Sequence, residues 1–190
     1  MESRAEKAGA RFDVRRIVVF GAVGGVVAGM MMAITEMIYG WASSAHTAWD
    51  APMAIWAWVA GLNHFGQPAN HVGPIILGLG GHMMNSMIAG MMFIALLSAL
   101  RLRNEIATIM FGVAYGLLLW VIMRYGILPL RSSTKLLFTT SLVSPQWVWW
   151  LAHALLGMTA GGFYVAVSRA RLRPLPRTPR LREQAPRAAA

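Results

Sequence analysis

The sequence predicts an all-α, polytopic membrane protein built as a four-transmembrane-helix up-down bundle, and three observations carry that prediction. Of 190 residues, 57% are apolar and only 13% charged, against roughly 25% charged in a soluble domain. Four apolar stretches, at 17–39, 75–100, 106–123 and 148–167, approach or exceed the roughly 20 residues that cross a hydrocarbon core of about 30 Å. The basic residues are sorted by loop: 14 of 17 fall in the N-terminal arm, the second loop and the tail, leaving Arg124, Arg131 and Lys135 on the other side. Positive residues are retained on the cytoplasmic side, so both termini are expected inside a bacterial inner membrane.

The first span follows Arg15 and Arg16 and precedes Ala-Ser-Ser-Ala at 42–45, as a secretory signal would. Its apolar run is too long for a signal core and contains Glu36, so it reads as a retained helix. The loop after it, 40–73, has no Lys or Arg, as expected of an exported loop. Within that loop Asp50 precedes Ala51 and Pro52, and Gly61 follows, which predicts a short amphipathic helix near 50–61 lying on the outer surface. Trp41, Trp49, Trp56, Trp58, Trp147, Trp149 and Trp150 fall in or beside the outer loops, where amphipathic rings prefer to sit. The chain thus divides into an arm (1–16), a membrane domain (17–168) and an Arg- and Pro-rich tail (169–190) expected to be disordered and attracted to anionic lipid. The formal charge of +10 reports orientation and gives no support for nucleic acid.

Sliding the chain on itself suggests two repeated hairpins. At an offset of 71, His82 meets His153, Met87 meets Met158, and Ala89-Gly90 meets Ala160-Gly161; at 91, Phe20-Gly21 meets Phe111-Gly112 and Gly25 meets Gly116. An axis along the membrane normal would relate the two hairpins, with the outer helix inserted in the first. Gly21, Gly25, Gly29, Gly112 and Gly116 form small-xxx-small pairs that permit close helix approach.

Ionisable groups inside spans are costly and mark candidate sites. His82 and His153 lie at similar predicted depths, Glu36 and Arg124 near the outer ends of their spans, and Asn85 three residues beyond His82. Together they predict one polar layer, in its simplest form a buried network with Glu36 paired to Arg124. The same layer offers other chemistry. His82 and His153 could supply both axial imidazoles of a b-type haem, with Gly78, Gly80, Gly81, Gly157 and Gly161 making room for the porphyrin, or they could bind a quinone. Glu36 could centre a proton or ion conduit.

Other motifs are weaker. His46, His64 and His71 with Asp50 offer metal-ligand types, but loop histidines are ordinarily solvated and no metal site is assigned. The 14 methionines follow helical runs and read as packing, not copper ligands. Without cysteine, thiolate chemistry is excluded. Gly21, Gly24 and Gly25 follow no strand, so a dinucleotide fingerprint fails on context, and no catalytic set is evident.

The glycine-rich first span, Gly81-His82 with Asn85, the third-span glycines followed by Pro129, and His153 with Gly157 and Gly161 together resemble the YagU-like group of small bacterial inner-membrane proteins over about 17–168. The resemblance implies the four-helix fold and a link to acid tolerance, with no mechanism attached. The expected role is that of a non-catalytic accessory or binding subunit of a larger membrane assembly, for example a respiratory one, with a membrane-protein partner or a homo-oligomer; haem or quinone binding and the Glu36 conduit stand as alternatives.

Overall fold

In a computed structural model the chain is described over residues 14–102, 104–131 and 133–172. The described residues form six α-helices and no strand: α1 (Val14–Ala42), α2 (Asp50–Ala60), α3 (Val72–Leu100), α4 (Glu105–Ile122), α5 (Leu136–Thr139) and α6 (Gln146–Leu172). A π turn (Met123–Ile127) and a 3-10 turn (Leu128–Leu130) prolong α4. Helices α1, α3, prolonged α4 and α6 are long and apolar enough to span a membrane, and the protein is an integral, multi-pass four-helix bundle.

The helices run a little beyond the predicted limits. α1 begins at Val14 within the predicted arm, and Arg169 to Leu172 belong to α6 and not to a disordered tail. The rest of the arm and tail lies outside the described residues. Between α3 and α4 the turn is tight: Arg101 takes the left-handed conformation, φ 53°, and the Asn104 side chain caps α4 by accepting from the Ala107 amide at 2.9 Å. Such a cap stabilises a helix by about 1 kcal/mol. At this same end the Arg169 guanidinium pairs with the Glu105 carboxylate, joining the start of α4 to the end of α6.

Two glycine seams hold the hairpins. Along α1 and α3, Gly21 and Gly25 receive the backbone of α3 at Gly90, Met91 and Ser86, and Gly29 receives the Ser86 side chain. Along α4 and α6, Gly112 and Gly116 receive the carbonyls of Gly157 and His153, while Gly161 lies on Ile109. A methyl group at Gly25, Gly112, Gly116 or Gly157 would overlap a facing carbonyl oxygen. Lipid tails are as apolar as Leu, so close van der Waals contact of this kind is what drives membrane helices together.

The hairpins join asymmetrically. α1 packs closely along α6, where Gly24 faces the Phe163 ring. α3 and α4 stand further apart, bridged by aromatic side chains: Phe93 stacks on Phe111 at 5.9 Å and packs on Tyr115 at 5.3 Å, and the Tyr115 hydroxyl donates to the Ala89 carbonyl at 2.8 Å. A two-fold relating the hairpins would make those two junctions alike, so the repeat is visible within each hairpin and lost between them. Ala28, Met32, Phe93, Ile94, Leu97, Tyr115, Ala152, Leu156 and Ala160 fill the centre.

α2 forms over the expected residues, and one face of it packs into the protein: Met53, Ala54 and Ala57 are fully buried and the Pro52 carbonyl rests on Gly78 of α3. With α5 and the turns around Leu128 and Val143 it forms a compact cap over one end of the bundle. Asp50 is the first helical residue, and its carboxylate takes the Thr47 amide and hydroxyl.

Candidate functional site

The predicted polar layer separates into three environments. Glu36, His82 and His153 are buried in the bundle. Arg124 is half-buried in the cap, and Asn85 is exposed on the outer face of α3.

Arg124 and Glu36 do not pair. The π turn aims the Arg124 guanidinium at α5, where Nη1 donates to the Phe138 carbonyl at 3.1 Å and Nη2 to the Thr139 carbonyl at 3.2 Å. Those carbonyls end a helix, where cations are favoured, and they occupy the cation that sequence reasoning assigned to Glu36. Glu36 is 3% exposed, and its Oε1 has no hydrogen-bond partner. Among the described residues, no Lys, Arg or His lies within ion-pair distance of it. Among the described residues it is also the only acidic one in the interior of a span, because Glu105 stands at the first position of α4.

The histidines have defined tautomers in their neutral form. His82 Nε2 donates to the Gly29 carbonyl of α1 at 3.0 Å, which leaves Nδ1 as its acceptor. His153 Nδ1 donates to the Trp149 carbonyl one turn earlier at 2.8 Å, leaving Nε2 as acceptor. Ser86, one turn from His82, returns its hydroxyl to the His82 carbonyl at 2.8 Å, as hydroxyls inside membrane helices commonly do.

This arrangement fits a haem poorly. The Nε2 of His82 is engaged by the α1 backbone, and three of the five glycines expected to admit a porphyrin serve helix packing instead. Gly78 is covered by Pro52, Gly157 by Gly112 and Gly161 by Ile109, while Gly80 faces outward with open space where a β-carbon would stand.

The loop histidines also disperse. His46 lies 3.6 Å from Asp50, but His64 packs against Trp56 with ring centroids 6.5 Å apart, and His71 bonds the Gln67 and Asn63 carbonyls at 2.8 and 3.3 Å. No group of three metal-ligating side chains gathers among the described residues.

Sequence reasoning missed the residues that clasp the cap. Arg131 donates to the Val59 carbonyl, Thr134 to that of Trp58 at 3.5 Å, and Gln146 to that of Phe138 at 3.0 Å. The loop 131–135 reads as an ordinary hydrated loop because its partners lie more than 70 residues earlier. Tyr115 was also missed, although a lone phenol between Gly112 and Gly116 was a legible sign of a polar contact.

The class of protein is therefore an integral membrane bundle with one unpaired carboxyl group and two buried imidazoles inside it. No family model, curated protein or solved structure matches the chain.

Proposed function

We propose that the protein handles protons within the membrane, as a small conduit or relay in which Glu36 takes up and releases the proton. The observation that carries this reading is the buried Glu36 carboxyl with an unpartnered oxygen and no counter-ion. An ionisable residue inside a bundle is by default a functional one, and chains of Glu and His mark proton pathways. His82 and His153 each keep one free acceptor nitrogen and can pass a proton on. The resemblance to YagU-like proteins, with its link to acid tolerance, is consistent with such a role. The sorting of Lys and Arg supports an inner-membrane setting with both termini cytoplasmic. In liposomes carrying a pH-sensitive dye, the protein should conduct protons and Glu36→Gln should reduce the flux at least tenfold. Equal flux from the two proteins would overturn the assignment.

A second reading, the accessory subunit, is favoured by the cap. Trp41, Trp49, Trp147 and Trp150 are all exposed, and Trp is enriched where proteins bind one another. Purification in mild detergent should then recover a larger assembly that Trp41→Ala and Trp147→Ala weaken. Recovery of this chain alone would count against it.

A further inference from the structure

Asn85 presents a polar group where none is expected. α3 runs from Val72 to Leu100, so Asn85 has 13 residues before it and 15 after. At 1.5 Å per residue it sits roughly 20 Å from either end of the helix, at the middle of the span. Its side chain is exposed and has no hydrogen bond among the described residues, unlike Ser86 beside it, whose hydroxyl is taken by the His82 carbonyl. At that depth the surroundings are hydrocarbon, which can satisfy neither the amide N–H groups nor its oxygen. A primary amide carries donors and an acceptor together, so two of them satisfy one another.

We propose that the protein pairs with a second copy of itself along this edge of α3, the two Asn85 amides hydrogen-bonding across a two-fold axis normal to the membrane. Copies inserted in the same sense place Asn85 at the same depth, and a two-fold sets each residue against its own equivalent. A different partner would need its own amide or hydroxyl at the matching depth. The flanking surface suits such a contact: Ile88, Met92 and Leu96 are exposed on the same side, Gly81 lies one turn away, and α3 carries no charged residue. Asn85 is also one turn from Ala89, whose carbonyl receives Tyr115, so it stands beside the wide junction of α3 with α4. The proposal is independent of the proton reading, which concerns groups buried inside the bundle.

The absence of cysteine makes the test direct. In liposomes at low protein density, oxidation of Met92→Cys should give a cross-linked dimer. Met158→Cys, exposed on α6 and diagonal to α3, should not. Adding Asn85→Leu to Met92→Cys should lower the yield about tenfold, with helicity unchanged by circular dichroism, and Asn85→Gln should retain most of it. Equal yields at the two cysteine positions, insensitivity to Asn85→Leu, or a protein that stays monomeric at every density would overturn the proposal. Cross-linking to a different protein in native membranes, with none between copies, would overturn it too.

Discussion

Glycines in this protein act through the atoms that face them. Gly25 lies on the Ser86 carbonyl, whereas Gly80 has open space where its side chain would be, so the same substitution should have opposite outcomes at the two positions. Gly25→Leu is expected to separate α1 from α3 and cost about 2 kcal/mol or more, measured by reversible unfolding in mixed micelles. Gly80→Leu should change stability by no more than about 0.5 kcal/mol. The spacing of Gly21, Gly25 and Gly29 was legible as a packing motif, but the backbone each one admits was not. The charged residues were less legible. Pairing Glu36 with Arg124 is reasonable when only depth is known, yet the guanidinium finds two carbonyls of α5, and a planar fork is well matched to neighbouring oxygens. The burial of His82 and His153 was foreseen, while the nitrogen each one uses depends on which carbonyl lies within reach.

At the scale of elements, the cap is where local reasoning and structure diverge. The α2 sequence is rich in Trp and starts near an acidic residue, both signs of a surface helix. Ala51, Ala54 and Ala57, spaced by three, form the small-residue face that packs inward, and all three belong to the apolar core of the cap. α4 changes character over Met123–Ile127 because its ladder ends in a π turn just before Pro129, which lacks the N–H to continue it. That turn delivers Arg124 to α5. Arg124→Met should remove two charge-assisted hydrogen bonds and destabilise the cap by about 2–3 kcal/mol. Faster hydrogen exchange over 136–145, with the four spans still protected, would confirm that the arginine is a clasp; unchanged exchange there would show that apolar packing alone holds the cap.

For the whole molecule, alternating helices put the cap at one end and the α3–α4 turn at the other. The orientation proposed from the basic residues predicts that Ser44→Cys reacts with an impermeant maleimide on intact cells, and Leu100→Cys only after lysis. The reverse pattern would invert the orientation drawn from the basic residues. Four spans and their approximate limits follow from apolar length, because the bilayer imposes one length on every helix that crosses it. Glycine spacing likewise marks which helices can approach closely. These are properties of single segments against a uniform solvent, and a sequence determines them by itself. Only the tertiary structure decided that α1 meets α6 closely while aromatic rings hold α3 from α4, that Arg124 leaves Glu36 unpaired, and that Asn85 turns outward. Each of those outcomes is a competition among partners distant in the chain, and which partner comes within hydrogen-bonding or van der Waals range is set by how the helices rotate and pack, not by where the residues fall along them.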